Sequence, residues 1–265
     1  MDEQKTTASP SLPPSLSLSL SYRALASNDT LTVLTLSQNP IGPRGAASLA
    51  KALAAGGGRA LRRLDLDDCG ITGEHAAAAL GAALAANGGG GSQGYAGKGQ
   101  LTSLNLSQNH LGSYGVGALV AGNGNDNGTP PSFPFNLAAN RRLRTLRLDG
   151  VRAGVVGAEK FSRALAGNVA LTAVSFASNG IRNLGAAAFA GALRANTTLR
   201  SLDLAFNDFD AASGGAALVA ALSTEPGAGR DRLALNLHVD LKGNDGCETL
   251  IPPHLARSKL RMDFM

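Results

Sequence analysis

Leucines fall in pairs two residues apart with another leucine three residues before the pair, and this short figure returns along most of the chain. Leu31, Leu34 and Leu36 with Asn39 set it, and Leu61, Leu64 and Leu66 with Cys69 repeat it. It returns at Leu101, Leu104, Leu106 and Asn109, and then at Leu143, Leu146 and Leu148, with Val151 in the asparagine position. Leu171, Val174 and Phe176 with Asn179, and Leu199, Leu202 and Leu204 with Asn207, continue it before a degenerate copy at Val239, Leu241 and Asn244. Alternate side chains of an extended segment face opposite sides, so Leu34 and Leu36 point one way and Thr35 the other, which predicts a short strand in each copy. After the asparagine, Ile41, Leu49 and Leu53, and likewise Ile181, Phe189 and Leu193, recur at helical intervals among alanines, which predicts a helix lying close against the strands.

A single copy has no partner surface for its leucines. Each contributes roughly 1.5–3 kcal/mol when fully buried, so the copies are expected to stack. Positions 151, 179 and 207 are spaced 28 residues apart. From Leu31 to Asn244 the pattern resembles the leucine-rich-repeat superfamily, and the spacing with a full helix per copy is similar to its ribonuclease-inhibitor-like branch. That resemblance implies an α/β horseshoe-shaped solenoid with parallel strands on its concave face and helices on its convex face. The same branch includes the repeat domains of Ran GTPase-activating proteins and of NOD-like receptors. It implies a non-enzymatic scaffold that binds a protein partner on the concave face; the alternative it implies is a GTPase activator of the Ran-activating type, which works by docking on the GTPase.

Where the chain leaves each strand, a buried Asn amide is expected to bond main-chain groups that the strand ladder leaves unpaired. Cys69 is a stand-in seen in this family. Val151 offers no such bond, which predicts a different or looser turn in the fourth copy. The organisation expected is a disordered segment over 1–21, a repeat domain of about seven copies over 22–246, and an irregular tail over 247–265. Residues 22–28 resemble the last helical turn of a preceding copy. Insertions near 87–99, 122–140 and 223–232, rich in Gly, Asn or Pro, read as exposed loops.

Composition narrows the picture in three ways. Hydrophobic residues make up 44% but aromatics only 4%, with no Trp, so the core must be thin layers of Leu, Val and Ala. The two cysteines, Cys69 and Cys247, are too few and too distant for a disulfide framework, which argues for a reducing compartment. Pro13 and Pro14 interrupt the early apolar stretch, and no run approaches the roughly 18 residues needed to cross a membrane, so the cytoplasm or nucleus is expected. On that reading Asn28-Asp29-Thr30 and Asn196-Thr197-Thr198, which match the glycosylation pattern, are chance matches.

Candidate chemistry lies on the outward strand positions. Thr35, Asp65, Asn105, Arg147, Ser175, Asp203 and Asp240 form one row; Ser37, Asp67, Ser107, Asp149, Ala177, Ala205 and Lys242 lie beside it. A rigid curved surface of varied polar residues suits partner recognition. Asp65, Asp67 and Asp68 read as surface carboxylates rather than a metal site, and the four histidines show no metal spacing. Gly97-Lys98 lacks the glycine spacing and hydroxyl residue of a phosphate loop, and the Asn/Gly-rich run at 123–128 lacks the Glu that closes a calcium loop. No nucleophile elbow is present, so neither cofactor nor catalysis is expected. The formal charge of +5 is concentrated in arginines, notably Arg141, Arg142, Arg144 and Arg147, with Arg62, Arg63 and Arg152 as possible neighbours. These suit an acidic protein surface or phosphate groups, but with no aromatic platform beside them the plainer reading is solubility at the repeat edge, and nucleic acid is not expected.

Overall fold

A computed structural model describes residues 24–55, 58–88, 100–121, 137–223, 237–247 and 261–263. Within these residues, eight three-residue strands lie in one sheet in strict chain order, every neighbouring pair parallel. They are β1 (Val33–Thr35), β2 (Arg63–Asp65), β3 (Ser103–Asn105), β4 (Thr145–Arg147), β5 (Ala173–Ser175), β6 (Ser201–Asp203), β7 (His238–Asp240) and β8 (Arg261–Asp263). The central residues align across the whole sheet: Leu34, Leu64, Leu104, Leu146, Val174, Leu202, Val239 and Met262 sit opposite one another in register. The phased leucines therefore do stack, as the sequence figure requires.

From β1 to β7 the chain returns between consecutive strands through a helix. These are α1 (Gly42–Ala54), α2 (Glu74–Gly88), α3 (Gly112–Ala121), α4 (Gly154–Gly167), α5 (Arg182–Ala195) and, after a π-turn at Ala211–Gly215, α6 (Ala216–Ser223). Each helix packs on the next, forming a second layer behind the sheet. Alanine and glycine make that layer tight. A Cβ on Gly81 would stand 2.8 Å from the carbonyl oxygen of Leu119, so α2 and α3 approach at backbone contact. The core runs continuously between the layers, and its largest side chains sit at mid-array: Phe161, Phe176 and Phe189 have ring centroids 5.0, 5.3 and 5.9 Å apart.

Several boundaries differ from the sequence reading. Arg261–Asp263 pair with β7 as an eighth strand although they fall in the stretch read as an irregular tail. Met262 takes the register position that leucine marks elsewhere, and no asparagine follows to signal it. Helix α2 extends through Asn87 and Gly88, and the end of the second insertion is built: Leu137–Ala139 form a 3-10 turn with Leu137 buried. A helical turn over 24–27 sits where the end of a preceding copy was expected, with Leu25 buried. Residues 1–21, and the remaining insertion positions at 89–99, 122–136 and 224–232, lie outside the described residues, as do 248–260 of the tail.

The turn after β4 is also not looser. The residue just before each rung position has a left-handed backbone: Gln38, Asp68, Gln108, Gly150, Ser178, Phe206 and Gly243 all have φ between 48° and 68°. Gly150, at φ 65°, makes the same turn in front of Val151 as its neighbours make in front of asparagine or cysteine. Main-chain bonds carry it, Gln108 N–H to the Asp149 carbonyl at 2.7 Å and Gly150 N–H to the Ala177 carbonyl at 2.9 Å. The carbonyls of Leu106 and Leu148 still receive amide donors from Asn109 and Asn179 on either side.

Candidate functional site

Two ladders of buried asparagines fix the strands at either end, and so set the surface between them. On the exit side, the Asn109 side-chain amide donates to the carbonyls of Leu66, Leu106 and Ser107, and its oxygen accepts from the Cys69 and Ile71 amides. Asn179, Asn207 and Asn244 repeat this, each bridging its own turn to the preceding one. At the Cys69 rung the thiol donates to the Leu36 carbonyl at 3.1 Å. Burial and the nearby aspartates push that thiol up to about 11, so it stays protonated and inert at neutral pH.

The second ladder lies at the start of the strands and was missed by the sequence reading. The Asn168 amide donates to the carbonyls of Leu137 and Asn140, and its oxygen accepts from the Ala170 and Leu171 amides. Asn196 does the same one copy later, and Asn140 one copy earlier. The signal was present: Asn28, Asn140, Asn168 and Asn196 each stand three residues before the first leucine of a copy. Two of them, Asn28 and Asn196, are also the asparagines that match the glycosylation pattern. Asn196 is buried with its amide nitrogen in two hydrogen bonds at 2.8 Å, so in the folded chain it is no acceptor for a glycan.

Between the ladders lies the strand surface on which the candidate residues were placed. The backbone register sets Thr35, Asp65, Asn105, Arg147, Ser175, Asp203 and Asp240 side by side. A relay of hydrogen bonds then joins most of them. Ser37 donates to Asp65 at 2.8 Å, and Asn105 donates to the same carboxylate oxygen at 2.9 Å. The Ser107 amide donates to Asn105, and the Ser107 hydroxyl to Asp149. Ser175 lies within reach of both Asp149 and Asp203, bridging β5 to its neighbours. Several carboxylates also accept from the main chain two residues on: Asp65 from Asp67, Asp203 from Ala205 and Asp240 from Lys242.

This surface is acidic, relieved by two arginines. Arg63 approaches Asp65 at 3.6 Å and Arg147 approaches Asp149 at 3.8 Å, with both guanidiniums more than half exposed and so worth little as ion pairs. Desolvation, then the neighbouring Asp149 and Asp240, raises the Asp203 carboxyl above the usual carboxylate range. Asp67 is raised by desolvation and by the adjacent Asp65 and Asp68. The second row is partly covered by its neighbours, since Ser107 and Ala205 are buried. A third outward row, Val33, Arg63, Ser103, Thr145, Ala173, Ser201 and His238, stands on the same face and was not singled out from the sequence. Strict alternation back from Thr35 would have found it. Among the described residues no group of three or more His, Cys, Asp or Glu is placed to hold a metal ion, and no helix is long and apolar enough to cross a membrane.

Short parallel strands, a helix after each of β1 to β6 and asparagine-pinned turns at most strand exits define a class of stacked-repeat proteins. A family description, Leucine Rich repeat, matches the chain at residues 27–50, 101–120 and 195–218, and the stacked register is that of a leucine-rich-repeat solenoid. No curated protein matches it.

Proposed function

We propose that this chain is a non-enzymatic interaction scaffold that binds a protein partner on the concave strand face, with Asp65, Asp67, Asn105, Asp149, Ser175 and Asp203 at the centre of the contact and Thr35, Arg147 and Asp240 around it. The observation that carries this is the hydrogen-bonded relay from Ser37 to Asp203, which holds polar side chains in fixed positions on a strand face that no described element covers. Side chains ordered before contact lose less rotational freedom on binding, so such a surface recognises a partner at lower entropic cost than loose surface groups do. The full helix in each copy and the 28-residue spacing support placement in the ribonuclease-inhibitor-like branch. The test is affinity purification of the full chain with cross-linking, followed by Asp149→Arg on the strand face and Leu184→Asp on α5. The expected result is a partner recovered by the parent chain and by the α5 variant but reduced about tenfold or more by Asp149→Arg, as for a charge reversed inside an interface. A partner lost equally with both variants, or with neither, defeats the proposal.

A further inference from the structure

A separate surface, on the start side of the strands, carries a regular row of cations. One residue before each of the first six strands stand Thr32, Arg62, Thr102, Arg144, Thr172 and Arg200, so arginine occupies every second copy and threonine the ones between. The row is continuous in the backbone: the Thr102 amide donates to the Arg62 carbonyl, Arg144 to Thr102, Thr172 to Arg144 and Arg200 to Thr172, all at 2.7–2.8 Å. Neighbouring strands lie about 4.8 Å apart, so successive arginines stand about 9.6 Å apart. Two of the threonines tie the row together, Thr102 and Thr172 donating their hydroxyls to the carbonyls of Arg62 and Arg144. Arg62, Arg144 and Arg200 are exposed, and Arg141 is exposed beside them.

Two of these guanidiniums are already held in place. Arg144 donates from Nη1 to the Ala170 carbonyl at 2.7 Å, and Arg200 from Nη1 to the carbonyls of Leu199 and Thr197 at 3.1 and 3.3 Å. Guanidinium carries five N–H donors, so such an anchor orients the group and leaves donors for a carboxylate. Among the described residues no carboxylate pairs with Arg62, Arg141, Arg144 or Arg200, whereas Arg63 and Arg147, further along the strands, each meet one.

We propose that this edge is a docking site for an acidic protein segment in polyproline-type conformation with a carboxylate at every third residue. A polyproline helix has three residues per turn and rises about 3.1 Å per residue, so residues i, i+3 and i+6 share one face at about 9.3 Å intervals. That repeat matches the arginine spacing across β2, β4 and β6. An acidic segment fits better than a nucleic-acid strand, because base stacking needs aromatic platforms and, among the described residues, the exposed aromatics Tyr114 and Phe206 lie on α3 and on a turn at the opposite ends of the strands. The site is distinct from the acidic strand face, where such a segment would be repelled by Asp65, Asp149 and Asp203.

The test uses calorimetric titration of the full chain with a fifteen-residue peptide of Glu-Pro-Pro repeats, against an isomer carrying its five glutamates in one block before ten prolines. The repeat peptide is expected to bind about tenfold tighter than the block isomer, and Arg144→Glu to weaken it by about tenfold or more, with a circular dichroism spectrum unchanged from the parent. Arg62→Glu, a fully separate position in the row, is expected to do the same, while Asp149→Arg on the strand face leaves the peptide affinity intact. Equal affinity for the two isomers would overturn the spacing argument. Absence of binding by the repeat peptide, indifference to both arginine reversals, or tighter binding of a fifteen-nucleotide oligothymidine than of the repeat peptide would each overturn the site. Because Asp149→Arg is the variant on which the scaffold reading depends, the two readings succeed or fail separately.

Discussion

The copies built around β4, β5 and β6 and the copy built around β1 share one sequence figure but are covered differently. In the middle copies every figure leucine or its substitute is buried: Leu143, Leu146 and Leu148, then Leu171, Val174 and Phe176, then Leu199, Leu202 and Leu204. In the first copy Leu31, Leu34, Leu36, Ile41 and Leu53 are only half-buried, although Ala46, Leu49 and Ala50 on the α2-facing side of α1 are fully covered. The difference lies in position, not composition. Each copy of a solenoid contacts only its neighbours, so its stability is an interior contribution plus one interface on each side. Among the described residues the first copy has its strand neighbour on one side only.

The sharpest way to break that comparison is a pair of truncations. Phe176→Ala removes the ring at the centre of the three-phenylalanine cluster and is expected to cost about 3–5 kcal/mol, enough to cripple a marginally stable array. Leu34→Ala deletes a half-buried side chain in the equivalent layer and is expected to cost about 1–2 kcal/mol, less than full burial of a leucine supplies. Equilibrium urea unfolding measures both, with native-state hydrogen exchange locating any fraying at the β1 end. Equal losses would mean that the first copy is as well covered as the middle ones.

A smaller difference is expected between two asparagines that look alike in sequence. Asn207 shares its duties: the Phe176 carbonyl is also bonded by Asn179, and the Leu204 carbonyl by Asn244. Asn179 has no such cover on its β4 side, because Val151 carries no donor for the Leu148 carbonyl and no acceptor for the amides its turn faces. Asn179→Ala would leave the Leu148 carbonyl and the Ala153 amide without the partners seen here, at about 1–3 kcal/mol for each buried group. Asn207→Ala leaves chiefly the Asn179 amide, previously bonded to its side-chain oxygen at 2.9 Å. The expected order in urea midpoints is therefore parent, Asn207→Ala, then Asn179→Ala, and a reversed order would contradict the shared-rung account.

These contrasts also mark what the sequence made legible. The layered leucines were readable because burial in a parallel stack demands an apolar residue at the same spacing in every copy, and that demand is still met in the fifth copy, where Val174 and Phe176 stand in for leucine. The exit rungs were readable for the same reason. Strand β8 was not, since backbone pairing to β7 places no strict demand on side-chain type and Met262 broke the figure. The polar character of the strand face followed from the outward positions, but its acidic balance and the relay did not. Whether Ser175 reaches both Asp149 and Asp203 depends on lateral spacing between strands whose separation in the chain is unrelated to their distance in space. The regular arginine row was obscured in a different way: Arg144 and Arg62 could be grouped as a basic cluster, but the place of Arg200 and the alternation with threonine depend on the register between separate copies.

The finest adjustment of the comparison is to restore the rung that the fourth copy lacks. Val151 is fully buried at the position where Asn109 and Asn179 stand in adjacent copies, and its turn already has the same left-handed residue in front of it. An asparagine there would direct its amide nitrogen toward the Leu106 and Leu148 carbonyls and its oxygen toward the Asn109 amide, as Asn207 does toward Asn179. Desolvating the new amide is unfavourable unless those bonds form, so the sign of the effect reports on the geometry directly. The expected outcome for Val151→Asn is a gain of about 0.5–1.5 kcal/mol, seen as a raised urea midpoint at unchanged slope. Combined with Asn179→Ala it should also shrink the loss caused by that second substitution, because the Leu148 carbonyl regains a donor. A double-mutant cycle with no coupling between positions 151 and 179 would show that the rungs act singly and not as a ladder.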